Sequence, residues 1–295
     1  MQVFEAQVKI PMESQLGEGA LWDVRDRALY WVDILGSEVY RLDPEAGGPS
    51  SWQVGQHVTT VVVAEDGRLV LGLRHGFAWL DLSSGRVTSI VDPEPDNPDT
   101  RMNDGKCDPQ GRFWAGTMVE RGERGRGGLY CLGADLSLTR KLSGVSCSNG
   151  LVWTRDQRTF YYIDTPTHRI DAFDYEPTSG QIAARRTVAE IPRELGAPDG
   201  MAIDAEDRLW VALFGGSAVV CVDPRDGAVK ARIEVGAQNV TSCAFGGPEL
   251  RDLYITTARV GMSAQQLAEL PQSGSLFCVT LPVAGVPSPR FAGRG

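Results

Sequence analysis

Six copies of one pattern fill the chain, and this repeat limits its fold more than any other feature. A polar turn closed by arginine and followed by a strand-forming run recurs at Arg27 (ALYWVD follows), Arg68 (LVLGL), Arg112 (FWAGT), Arg158 (TFYYID), Arg208 (LWVAL) and Arg251 (DLYITT). The turns are rich in Asp and the runs in β-branched and aromatic residues, which reads as β-hairpins. Successive markers lie 41 to 50 residues apart. A period of about 40–50 residues with several strands per unit signals a β-propeller. The expectation is an all-β chain forming a six-bladed β-propeller with a central metal-binding channel. A propeller cut between blades exposes strand edges, so residues 1–295 are read as a single domain. The alternating stretch 3–10, VFEAQVKI, is expected to join the last blade beside Ser275–Leu281 and close the ring.

Nine residues before each marker stand Glu18, Thr59, Asn103, Asn149, Asp199 and Ser242. All six carry a side-chain oxygen in largely apolar surroundings. Equivalent positions in the blades are related by rotation about one axis. At the starts of the innermost strands they converge on one mouth of the channel. Such a ring of hard oxygen donors suits a divalent cation: Ca²⁺, Mg²⁺, Mn²⁺, Zn²⁺ or Fe²⁺. The same ring could equally solvate a water-filled channel or hold a metal for rigidity alone.

Other features punctuate the repeat. Turns at Asp43–Gly47, Asp81–Gly85, Asp174–Gly180 and Asp223–Gly227 join outer strands. Trp22, Trp31, Trp114, Trp153 and Trp210 pack between blades. Ser263–Leu270, SAQQLAEL, opens with a Ser-x-x-Gln capping box and stops at Pro271, which predicts a short helix late in the sixth blade. Glu120–Gly128, ERGERGRGG, is either a solvated hairpin tip or a loop over the channel mouth, and it matches no phosphate-binding glycine motif.

Charge and composition narrow the function. A net charge of −9 disfavours nucleic acid and anionic membrane surfaces as partners. The first residues, MQVFEAQVKIPMES, show no basic region followed by an apolar run, and six cysteines are scattered without a C-x-x-C pair. Reduced thiols and a cytoplasmic location are expected. Only three histidines occur, His57, His75 and His168, and no G-x-S-x-G elbow. A three-His zinc site and a Ser-His-Asp machine are thereby disfavoured. Cys147 reads as a packing residue. Arg101, beside Asn103 in TRMNDGK, either contacts substrate oxygens or makes a surface ion pair. Nothing in the sequence selects an oligomeric state.

The motifs Leu16-Gly-Glu18-Gly19, Arg101-Met-Asn103-Asp104-Gly105-Lys106, Ala115-Gly-Thr-Met118, Ser148-Asn149-Gly150 and Pro198-Asp199-Gly200 resemble those of the gluconolactonase and senescence-marker-protein (regucalcin) family. The segment Thr241–Gly247 is similar too, so the resemblance covers essentially the whole chain. It implies a six-bladed propeller that binds one divalent metal and hydrolyses sugar lactones. By that resemblance Glu18, Asn149 and Asp199 are the metal ligands and Asp199 is also the general base. Arg101, Asn103, Asp104 and Glu120 are the implied substrate-side residues. One departure stands out. Family members similar to regucalcin continue Thr-Met-x-Glu-Glu, whereas this chain has Thr117-Met118-Val119-Glu120-Arg121.

The expected activity is therefore metal-dependent hydrolysis of a five- or six-carbon aldonolactone, a small-molecule substrate. The alternatives are a metal-dependent hydrolase of phosphotriesters or other esters on the same fold, and a non-catalytic calcium-binding regulatory protein.

Overall fold

Part of the repeat rests on one turn that is built the same way in two blades. In the computed structural model, which describes residues 1–45 and 47–294, Asp108 and Asp204 each end an innermost strand. Asp108 Oδ1 accepts the backbone N–H of Gln110 and Arg112. Its Oδ2 accepts Arg112 Nε at 2.6 Å and Trp114 Nε1 at 2.9 Å. Asp204 binds Glu206, Arg208 and Trp210 in the same pattern. The marker arginine thus closes the turn on an aspartate four residues earlier, and the tryptophan beyond it anchors the next strand.

Each turn joins the two inner strands of an antiparallel sheet, and six sheets result, five of four strands and one of five. The innermost strands are Gly17–Asp23, Val58–Val63, Thr100–Cys107, Ser148–Trp153, Ala197–Ile203 and Asn239–Gly246. Each packs against the next, and the sixth returns to the first. This is a six-bladed β-propeller. Apolar side chains fill the space between blades: Trp22 stacks on Tyr254 from the last blade, and Trp114 meets Trp153 and Phe160 from the fourth. The predicted outer turns close at Gly85, Gly180 and Gly227. Position 46, inside the predicted turn 43–47, lies outside the described residues. The helix spans Ala264–Glu269 with Ser263 as N-cap, and Ser263 and Gln266 form the capping box. All six cysteines are free thiols.

The N-terminal stretch differs from the single strand expected over 3–10. It makes two strands separated at Ala6, whose side chain turns into the core and is 5 % exposed. Gln7–Ile10 pairs antiparallel with Leu276–Thr280 in the last blade. Gln2–Glu5 pairs in parallel with Ala228–Glu234 and becomes a fifth strand of the fifth blade. One short segment thus covers the edges of two adjacent blades. Removing residues 1–10 uncovers both edges and the pocket of Ala6. The expected result is a fall of at least about 5 °C in the melting midpoint followed by circular dichroism; an unchanged midpoint would show that the segment adds no stability.

The C-terminal residues form a second closure, which the sequence did not announce. They run across the far ends of the innermost strands. Ala205 N–H donates to Ala284 O, Val286 N–H to Ile203 O, Phe291 N–H to Val63 O and Ala292 N–H to Gly111 O. Arg290 binds Asp23 through Nε at 2.7 Å and Nη2 at 2.6 Å, and also reaches Asp26. Asp23 ends the first innermost strand but has no marker arginine on it; Arg290 takes that place from the other end of the chain.

Candidate active site

The near ends of the innermost strands hold the oxygen ring. Glu18, Thr59, Asn103, Asn149, Asp199 and Ser242 all lie in innermost strands, each between 1 % and 7 % exposed. A regular strand would alternate its side chains strictly between two faces. Here the pairing register shifts at or directly beside every ring position: after Glu18, across Thr59, across Asn103–Asp104, after Asn149, across Asp199–Gly200 and before Ser242. Such bulges re-aim side chains and let successive oxygens converge on the axis.

Glycine beside the ring positions lets neighbouring strands approach. A Cβ on Gly150 would lie 2.8 Å from the backbone oxygen of Asp199, and one on Gly200 would lie 2.6 Å from Ser242 Oγ. Cross-strand hydrogen bonds fix the ring further. Thr59 Oγ1 donates to Asn103 O at 2.8 Å, and Asn103 Nδ2 donates to Ser148 O at 2.7 Å and to Asn149 Oδ1 at 3.0 Å.

Negative charge comes from alternate blades, the first, third and fifth. Glu18, Asp104 and Asp199 are all buried. Burial, reinforced by Asp104, pushes the Glu18 carboxyl up to about 8. Burial first, then the charges of Glu18 and Asp104, hold Asp199 well above the usual carboxylate range. Asp104 is raised by burial and pulled back by Lys106. Glu18 Oε2 accepts the Gly19 N–H and Asp104 Oδ1 the Gly105 N–H. The nearby cation, Arg101, is already engaged: Nη1 donates to Met102 O and Asn103 Oδ1, both at 2.8 Å, and Nε faces Glu120 Oε1 at 3.2 Å. The other oxygen of Glu120 meets Arg74 at 2.7 Å.

The expected site residues therefore fall into two groups. Glu18, Asp104, Asn149 and Asp199 gather with Asn103 on the innermost strands, and Arg101 and Glu120 stand in an ion-paired arm with Arg74. Arg74 was missed because it sits between strands of the second blade, with no motif around it. Thr165 was missed too. Its Oγ1 accepts Asn149 Nδ2 at 2.7 Å and donates to Pro198 O at 2.7 Å, so it orients the Asn149 amide. Two aspartates set the height of the ring. Asp33 accepts the N–H of Gln15 and Leu16, and Asp164 accepts those of Ser146 and Cys147. Both end the second strand of a blade, as the matching runs YWVD and YYID could have shown.

Among the described residues no group of three or more His, Cys, Asp and Glu is placed to hold a metal ion. A cation here would have to draw on neutral oxygen as well; Asn149 Oδ1, which accepts Asn103 Nδ2, is such an oxygen. The donor chemistry fits: two buried carboxylates that repel each other and one amide oxygen make a hard, anionic set.

A six-bladed propeller with an acidic cluster at its axis is a scaffold shared by several protein classes. The chain belongs to one of them, the family described as SMP-30/Gluconolactonase/LRE-like region, which matches residues 16–259. Its relatives include YvrE of Bacillus subtilis (strain 168), named a candidate sugar lactone lactonase. The two are 41% identical over 289 residues, covering 98% of this chain and 99% of that protein. Regucalcin of Gallus gallus is 39% identical over 285 residues, 95% of each chain. Among solved structures, a calcium-binding regucalcin from Agrobacterium tumefaciens strain C58 superposes with a TM-score of 0.93 at 27% identity, covering 99% of both chains.

Proposed function

We propose that the chain hydrolyses five- or six-carbon aldonolactones at the axial ring, with one divalent cation held by Glu18, Asn149 and Asp199. The observation that carries this reading is the pair of buried carboxylates, Glu18 and Asp199, each raised by burial and by neighbouring negative charge. Like charges out of water are costly without a counter-ion. Arg101 offsets this charge only in part: it favours both carboxylates but less than burial disfavours them, and it is also held by Asn103, the Met102 carbonyl and Glu120. The relatives' names favour lactone hydrolysis. The donors suit Ca²⁺, Mg²⁺, Mn²⁺, Zn²⁺ or Fe²⁺ and include no thiolate, since burial pushes the adjacent Cys147 thiol up to about 12.

A bound cation would supply polarisation of the lactone carbonyl and a more acidic water. Asp199 takes the proton of the attacking water, with its carboxylate steadied by the Gly200 N–H. Arg101, fixed at Nη1 and Nε, presents positive charge where the carbonyl oxygen becomes negative. Asn103 and Glu120 keep that guanidinium in place, and Asp104 adds negative charge that acts on Glu18 and Asp199. Arg121, standing where relatives similar to regucalcin carry a second acid, removes a hydroxyl acceptor from the mouth and shifts the choice of sugar. The reading treats the chain as one propeller domain acting on a small molecule in the cytoplasm. Among the described residues no helix is long and apolar enough to cross a membrane.

The test is a pH-indicator assay on metal-stripped protein resupplied with each of the five cations, on glucono-, galactono-, xylono- and arabinonolactone. Acid release well above the spontaneous rate, restored by one metal, supports the lactonase. The calcium-binding description of the Agrobacterium relative favours a second reading, a calcium-binding protein. Stoichiometric Ca²⁺ binding with no release from any lactone or phosphotriester would favour it.

Thr165→Val is expected to weaken metal affinity by about tenfold or more, because the Asn149 amide loses its orienting partner. Direct metal titration measures this, and the circular dichroism spectrum should stay unchanged. Full affinity in the variant would remove Asn149 orientation from the account.

A further inference from the structure

The far end of the propeller axis carries a cavity that the lactonase reading leaves unused. It has a volume of about 300 Å³ and lies between the ends of four innermost strands and the C-terminal segment around Val286–Pro289. Trp153, Phe245 and Val286 give it apolar walls, while Lys106 and Arg155 are its charged members, and no Asp or Glu lines it. That cationic lining is notable in a chain of net charge −9.

Three donors at this cavity are under-used. The Lys106 ammonium has three N–H groups and gives one hydrogen bond, to Met201 O at 2.7 Å. Burial pulls Lys106 below the usual lysine range, and Asp104, two residues earlier, draws it back. Arg155 is exposed; its backbone N–H donates to Asp207 Oδ1 at 3.0 Å and its Nη1 to Ala205 O at 2.9 Å, and its guanidinium has no carboxylate partner among the described residues. Trp153 is 6 % exposed and its buried indole N–H has no acceptor among the described residues. Buried donors without acceptors are uncommon and costly. A concave apolar space with a few convergent polar groups is the usual form of a small-molecule site.

We propose that this cavity is a second ligand site, for a small aromatic monocarboxylate whose carboxylate meets Lys106 and Arg155 and whose ring lies between Trp153, Phe245 and Val286. The cavity lies at the opposite end of the axis from the ring, and the charge of Asp104 acting on Lys106 is the one link between them. An aromatic ring matches the walls by stacking and edge contacts. A carboxylate supplies the acceptors that the cations lack.

The test is calorimetric titration of the metal-loaded full chain with indole-3-propionate and, separately, with its neutral amide. The carboxylate is expected to bind about tenfold or more tightly than the amide, the factor a charge-assisted hydrogen bond gives. Lys106→Met should abolish that preference while leaving weak binding of both compounds. Asp199→Asn, at the other end, should leave binding unchanged. No binding of the carboxylate to the unaltered chain, equal binding of acid and amide, or a preference that survives Lys106→Met would each overturn the proposal. Loss of binding in Asp199→Asn would place the ligand at the ring instead and overturn it too. Should Lys106→Met not fold, the acid-against-amide comparison on the unaltered chain still decides.

Discussion

Asp199→Asn is expected to reduce lactone turnover by roughly a thousandfold, the scale on which a positioned general base contributes. The substitution keeps the shape of the side chain and the Gly200 N–H contact, and removes both the negative charge and the basic oxygen. Metal occupancy should fall with it, because one of two anionic donors is gone. Glu18→Gln should lose activity through occupancy alone, so raising the metal concentration should restore part of its rate but little of the rate of Asp199→Asn. Initial rates across a metal titration measure the difference. The circular dichroism spectra should match the unaltered chain, since neither carboxylate supports the packing between blades. Turnover in Asp199→Asn close to that of the unaltered chain would sink the assignment of Asp199.

Metal removal is expected to make stability fall as pH rises. Glu18 has a folded value of about 8 against an ordinary 4.5, and Asp199 is shifted in the same direction. A carboxyl raised on folding binds its proton more tightly in the folded chain. Its contribution is complete below the ordinary value and is lost as pH climbs through the folded value. The metal-free protein should therefore melt at progressively lower temperature between pH 5 and pH 8. Aspartates lowered on folding, such as Asp23, act in the opposite direction and only at more acidic pH. A bound cation competes with these protons, so the rise in melting temperature on adding metal should be larger at pH 8 than at pH 5. Metal-free Glu18→Gln should be more stable than the metal-free unaltered chain at pH 8. A metal-induced rise that does not change with pH would show that the carboxylates do not hold the ion.

The features legible in the sequence were the local ones. Two of the marker turns, at Arg112 and Arg208, are complete within a short window because each arginine binds an aspartate four residues back. The helix at Ala264–Glu269 was legible for the same reason, since its capping box is spelled out by Ser263 and Gln266. The oxygen ring could be found because each member keeps a constant distance from its marker. Long-range contacts left no such trace. Arg74 meets Glu120 from another blade, and Thr165 reaches both Asn149 and Pro198, with no periodic pattern to point to either. The bulges at the ring were equally hidden, although they are what bring the side chains to the axis. The division of residues 3–10 at Ala6 was missed because its alternation reads as one uninterrupted strand.

The C-terminal crossing over the far face also bears on how the protein is made. Arg290 binds Asp23 across 267 positions of sequence, and Phe291 binds Val63. The last blade needs Gln7–Ile10 from the opposite end of the chain. During synthesis the early blades can form as they emerge, but the ring around the axis stays open until Leu276–Thr280 is available to pair with Gln7–Ile10. Until then Glu18, Asp104 and Asp199 lack the complete enclosure that buries them in the closed ring. Any cation held by Glu18, Asn149 and Asp199 would then be captured only once Leu276–Thr280 has paired with Gln7–Ile10, and a chain halted before that strand would have no assembled centre.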